Sequence, residues 1–328
     1  MNKDNYNRLI NYALIVNIAI YLYFFLEGYD RPFWFDEIHV IGISKDIYNK
    51  SFSELFSGQL LPPLYFYLVG SINFTEELKS IVYEDHYYYL RIVNLLGFIP
   101  LIYGLKILKE KFEDLNISFL ILLIISSNFF YYYSIELKMY FIIFGLSFLI
   151  HTIFLVDEDQ IRYKFIFFIS SILLTLLHVF GLVIAMSMIF FNILRSLQLK
   201  NFRKLIFNLF TCSILIILFS IMYYYSKTHL QTLSWLEFQK WYFRVFIEWT
   251  FPTVIIILIM SIKILSRENL KYLFSFKNSS EINLNTLRII LPSLILLLVT
   301  SLISLKIPVI THRNLIVIFP SGILLAGL

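Results

Sequence analysis

Leu205–Tyr225 reads LIFNLFTCSILIILFSIMYYY, an uncharged run that is apolar on every side. A run of this length crosses a hydrocarbon core of about 30 Å as a helix, which takes about 20 apolar residues at a rise of about 1.5 Å each. Leu9–Leu26 and Ile117–Tyr133 have the same character. A membrane β-barrel would instead need strands of about 10 residues that alternate polar and apolar, and these runs do not alternate. The composition agrees. With 59% hydrophobic and 15% charged residues and a mean hydropathy of +0.76, the 328 residues have too little polar surface to cover a water-soluble globule. The expected fold is an all-α polytopic integral membrane protein, with residues 1–328 forming a single transmembrane domain.

Working outward from that run, spans are expected near 9–26, 91–108, 117–134, 138–155, 164–177, 179–195, 205–225, 249–265, 288–305 and 313–328, about ten in all. With a cytoplasmic N-terminus, the inner segments collect Lys3, Arg8, Lys106, Lys109, Lys111, Arg162, Lys164, Arg195, Lys200, Arg203, Lys204, Lys263, Arg267, Lys271, Lys277 and Arg288. That bias is the one the positive-inside rule describes, so the net charge of +5 reflects topology rather than nucleic-acid binding. The first segment resembles a signal peptide only in its basic start; no small-residue cleavage site follows, and it reads as a retained anchor. The pair 164–177 and 179–195 meets at His178 without a clear loop, and the basic residues after it favour two spans over one long helix. Cys212, the single cysteine, lies in an apolar run, which rules out an intramolecular disulfide and a cysteine metal site. Most of the 34 Phe and 23 Tyr read as interface anchors. The apolar run reaching Leu328 points to a further C-terminal part, and high Ile, Asn, Lys and Phe usage suits an AT-rich bacterial genome.

The segment 27–90 is too long for a connector, and it carries amphipathic stretches at 36–49 and 62–72, so it is expected as an extracytoplasmic loop with interfacial helices. Within it, Pro32-Phe33-Trp34-Phe35-Asp36-Glu37 should start a helix at the interface. Adjacent helical positions point about 100° apart, so at most one of Asp36 and Glu37 is expected to face any cavity, and Asp36 is the preferred choice. The plainer reading of Asp36 is a cap or first-turn acid favoured by the helix dipole. With His39 the two acids could also hold a divalent cation, although no second ligand cluster stands near them. Pro62-Pro63-Leu64-Tyr65 should open a second interfacial helix, Pro being tolerated in a first turn.

Four places, Trp34-Phe35-Asp36-Glu37, Pro62-Pro63-Leu64-Tyr65-Phe66-Tyr67, Tyr133-Ser134-Ile135-Glu136-Leu137-Lys138-Met139-Tyr140 and Leu177-His178-Val179-Phe180, resemble in order and outer-side placement the GT-C membrane glycosyltransferases of the protein O-mannosyltransferase and aminoarabinose-transferase type (glycosyltransferase family 39). His312-Arg313-Asn314 before the last span is a weaker fifth. The chain departs from the family at Lys138, where Arg is usual, and at Val179, where Tyr is usual. Lys138 keeps the charge and loses the bidentate fork.

The resemblance implies transfer of a sugar from a polyprenyl-phosphate donor to an acceptor on the extracytoplasmic face of the plasma membrane, with inversion. It casts Asp36, with Glu37 beside it, as the catalytic carboxylate that takes the acceptor proton. Lys138 and Arg313 would stabilise the leaving lipid phosphate. Glu136, Tyr140, His178, Pro63 and Tyr65 would line the substrate groove. The plainer alternatives are a local Glu136–Lys138 salt bridge, interface anchoring by Arg313, Pro63 and Tyr65, and a structural His178. A flippase or transporter of lipid-linked saccharides should show internal repeats, and none is visible. A surface-glycan polymerase or ligase should place its large loop later in the chain. The sugar, and whether the acceptor is lipid, glycan or protein, stay open.

Overall fold

A computed structural model describes residues 3–29, 35–46, 64–73, 87–113, 115–156, 160–226, 281–304 and 316–327. All regular structure among them is helical. In chain order the helices are α1 (Lys3–Tyr29), α2 (Phe35–Asp46), α3 (Leu64–Asn73), a 3₁₀ segment (Tyr87–Gly97) that runs into α4 (Phe98–Lys111), α5 (Ile117–Ile125), α6 (Asn128–Ile135), α7 (Tyr140–Val156), α8 (Ile161–Leu177), α9 (Val179–Gln198), α10 (Phe202–Ser226), α11 (Glu281–Ser304), a 3₁₀ turn (Ile316–Ile318) and α12 (Phe319–Gly327). Among the described residues, four stretches are long and apolar enough to cross a membrane: Asn7–Gly28, Leu90–Lys111, Val179–Gln198 and Phe202–Tyr224. Tyr140–Val156, Arg288–Thr300 and Ile316–Leu325 are shorter apolar helices. This is the architecture of a helical membrane protein. The expected span at 249–265 and the loop before it lie outside the described residues.

Helix α7 is the centre. Every residue from Tyr140 to Leu155 is buried, and the helix packs against the 3₁₀ segment, α4, α8, α11 and α12. Apolar surface offers helices no reason to associate in lipid, so close approach depends on small residues and shape. A Cβ added to Gly145 of α7 would fall on the Gly97 carbonyl oxygen, and one added to Gly104 would come within 2.8 Å of the Phe148 ring. Helices α1 and α10 are peripheral and keep apolar faces exposed, among them Tyr12, Ile15 and Leu22 on α1 and Ile206, Phe210 and Ile217 on α10. Such faces are unremarkable when lipid is the solvent.

Three details differ from or refine the expected spans. The run expected at 117–134 is interrupted: α5 ends at Ile125, and Ser127 caps α6 by accepting from Phe130 N at 3.2 Å. Polar bonds seat both pieces on α1, through Asn116 with Asn7 (3.0 Å), the Tyr21 hydroxyl with Ser134 (2.9 Å), and the Tyr131 hydroxyl with the Phe24 carbonyl (3.2 Å). The helix expected from 138 begins two residues later, at Tyr140. Between α8 and α9 the chain breaks at His178 alone, and the two helices pack on one another. Lys200, at φ 53°, closes α9, with Asn201 N donating to the Ser196 carbonyl at 2.9 Å. The Asn201 side chain then caps α10 by accepting from Lys204 N at 3.1 Å.

Candidate functional site

The site is built around the four residues, Glu136–Met139, that separate α6 from α7. Non-helical backbone in an apolar surrounding must find partners for its N–H and C=O groups, and it survives only where protein supplies them. Here two other parts of the chain supply them, α2 and the 3₁₀ segment, and α3 braces the second. Leu137 N donates to Glu37 Oε1 of α2 at 2.7 Å. The Glu136 carbonyl accepts from Lys138 N at 2.6 Å, a tight turn, and also from Asn94 Nδ2. Asn94 Nδ2 reaches the Tyr133 carbonyl as well, at 3.4 Å, and Asn94 Oδ1 accepts from the Tyr65 hydroxyl of α3 at 2.9 Å.

The 3₁₀ segment explains how one element reaches so many partners. At about three residues per turn, positions 91, 94 and 97 line one edge. Arg91 and Asn94 carry the polar contacts, and Gly97 lets the edge sit against Phe141 of α7. The Arg91 guanidinium pairs with Glu37 through Nε–Oε1 and Nη2–Oε2, both 3.2 Å, and its Nη1 donates to the Gly28 carbonyl at the end of α1 at 3.2 Å. Both side chains of the pair have no exposed surface. Such a bidentate pair, with its remaining valences satisfied, is the form in which charges persist in a low-dielectric interior. One guanidinium therefore ties the end of α1 to α2 and, through Glu37, to the backbone beside Lys138.

Glu136 and Lys138 are both buried in this break. The Tyr65 hydroxyl is held well above its ordinary pKa by burial first, and then by the charges of Glu136 and Glu37. It stays a neutral donor. Tyr140 opens α7 with its ring against Tyr133 (centroids 5.0 Å apart) and His178 (6.3 Å). His178 is extended (φ −161°, ψ 138°), and its Nδ1 accepts from Phe180 N at 3.2 Å, which leaves Nε2 as the protonated nitrogen of the neutral ring. Beside this cluster is an apolar cavity of about 400 Å³ between α3, α4, α7 and α8. Leu64, Leu68, Ile99, Ile142 and Leu177 line it, and Leu64 and Leu177 are the chain neighbours of Tyr65 and His178.

Six of the residues singled out in the sequence, Glu37, Tyr65, Glu136, Lys138, Tyr140 and His178, thus meet in one region. Asp36 sits in the first turn of α2; its side chain and that of His39 lie outside the described residues, as do Pro63 and Arg313. Among the described residues no group of three His, Cys, Asp or Glu side chains could hold a metal ion. Sequence reading missed Arg91 and Asn94. The available signal was a cation and an amide three apart at the head of an apolar run, where polar groups need partners. Compared with known protein families, curated proteins and solved structures, the chain finds no match.

Proposed function

We propose that this chain is a membrane glycosyltransferase that moves a sugar from a polyprenyl-phosphate donor to an acceptor hydroxyl on the extracytoplasmic face, with inversion. In this reading about ten spans place the N-terminus in the cytoplasm and the loop 27–90 outside. The observation that supports it is the meeting of Glu37, Tyr65, Glu136, Lys138 and His178, far apart in sequence, in one buried polar region beside a 400 Å³ apolar cavity. A lipid-linked sugar asks for that combination: polar groups for the head, an apolar channel for the chain.

The acceptor oxygen attacks the anomeric carbon as the carbon–oxygen bond to phosphate breaks. The proton passes to a carboxylate, and the bonding pair leaves with the lipid phosphate. Asp36 is the base, because Glu37 is committed to Arg91 and to Leu137 N. Lys138, held in the break, meets the charge growing on the phosphate. Glu37 and Arg91 position that lysine. The test is sugar transfer by purified protein in nanodiscs, from a panel of labelled polyprenyl-phosphate sugars into membrane extract. Asp36→Asn should lower turnover by about 10²–10⁴ with donor binding and helix content retained, the loss expected for a general base. Transfer at the wild-type rate by that variant would overturn the assignment.

A further inference from the structure

The apolar cavity and the 136–139 break share their walls. Helix α3 turns Leu64 and Leu68, one turn apart, toward the cavity, while Tyr65 beside them is buried and donates to Asn94 Oδ1. The 3₁₀ segment repeats the arrangement. Its Asn94 holds the Glu136 and Tyr133 carbonyls, and Leu96, on the next edge of the segment and 40% exposed, lines the cavity. Helix α7, which starts directly after the break, contributes Ile142. The Tyr65 and Asn94 links to the break are thus carried by elements that also face the cavity. Helix α2, which holds Leu137 N through Glu37, supplies none of the lining among the described residues.

A hydrocarbon tail laid in this cavity touches Leu64, Leu68, Leu96 and Ile142 together. Each contact adds a little dispersion attraction, and the sum draws α3, the 3₁₀ segment and α7 to one spacing. A helix of ten residues has little stability of its own, so the position of α3 follows its packing. Tyr65 passes that position to Asn94, and Asn94 passes it to the Glu136 carbonyl, two residues from Lys138. We propose that the cavity senses the tail of the donor: a seated prenyl tail fixes the 136–139 break through Tyr65 and Asn94, which are positioning residues for Lys138. The inference rests on the glycosyltransferase reading for its occupant, a prenyl chain carried by a phosphate. Binding energy from the tail then goes into orientation at the reacting end, which is how a remote part of a substrate raises turnover as well as affinity.

The test uses the full chain in phosphatidylcholine nanodiscs and two sugar-free probes with the same head, geranylgeranyl phosphate and the shorter geranyl phosphate. Hydrogen exchange reads residues 136–139, and native mass spectrometry reads the probe retained on the protein. Geranylgeranyl phosphate should slow exchange there by about fivefold or more, the lower end of the coupling usual between two sites, and geranyl phosphate should not. Tyr65→Phe keeps the ring and removes the donor to Asn94; it should retain the long probe and lose the slowing. Leu173→Trp narrows the cavity from α8, away from Tyr65, and should lose both retention and slowing. Equal slowing by the short probe would assign the effect to the phosphate alone and overturn the proposal. Undiminished slowing in Tyr65→Phe would overturn it, as would a wild type that fails to retain the long probe or retains it without slowing, its cavity then serving bilayer chains or none. If neither variant folds, the long and short probes on wild type decide. Because no probe carries a sugar, slowing without sugar transfer would keep the coupling and remove the transferase reading, and transfer without slowing would do the reverse.

Discussion

Two buried polar networks among the described residues are built on different principles. The one around Glu37, Arg91 and Asn94 is charged and serves broken backbone, satisfying the unwound residues between α6 and α7. The other is neutral and joins intact helices. His151 Nδ1 donates to the Ser147 carbonyl (2.7 Å), Ser321 Oγ donates to His151 Nε2 (2.9 Å), Ser293 Oγ donates to Ser321 Oγ (2.6 Å), and Ser147 Oγ donates to the Val317 carbonyl (2.8 Å). That chain stitches α7 to α11, α12 and the 3₁₀ turn at 316–318. Full charges occur where the helix stops, because only there are there enough backbone donors and acceptors to offset the cost of burying them. Hydroxyls and a neutral imidazole suffice where the backbone bonds itself.

The comparison breaks most sharply at Arg91. Arg91→Met leaves a buried carboxylate without its cation and should cost about 3–5 kcal/mol, read as a fall in thermal stability in detergent. Adding Glu37→Gln should restore much of it, since the amide oxygen still serves Leu137 N; a double variant as unstable as the single one would mean that the pair is not a unit. Next is Asn94→Leu, which strips the acceptor from the Tyr65 hydroxyl and the donor from two carbonyls, for about 1–3 kcal/mol in the same measurement. Its signature is local: hydrogen exchange should rise at residues 136–139 and not along α7. The smallest effect belongs to the neutral network. Ser321→Ala should cost about 0.6–1.7 kcal/mol, because in a membrane the unfolded reference also finds partners for hydroxyls. A loss as large as that from Arg91→Met would erase the distinction between the charged and the neutral network.

Much of this was legible from residue order, and the limits are specific. Uncharged runs such as Leu205–Tyr225 announce helices because nothing else buries that many consecutive apolar residues. The break at His178 was legible too, and α8 and α9 do part there. The interruption at Ser126–Ser127 was not, since two serines in an apolar run are as compatible with a continuous helix as with a cap. At the site, Glu37, Lys138 and His178 stood out by chemistry. Arg91 read as the mere start of a span, because its partner stands 54 residues away and a linear reading holds no distance between them.

By itself, then, the sequence determined the solvent and the class of fold. Hydrophobic length and the absence of alternation are properties of the local chain, and burying them requires lipid and helices wherever each helix comes to lie. Tertiary structure alone decided that Glu37 serves Arg91 and the backbone of Leu137, that Asn94 closes the break before α7, and that Leu64 and Leu96 share a cavity. Those are matters of distance between remote segments, and a charge acquires its role from the partner within a few ångströms of it.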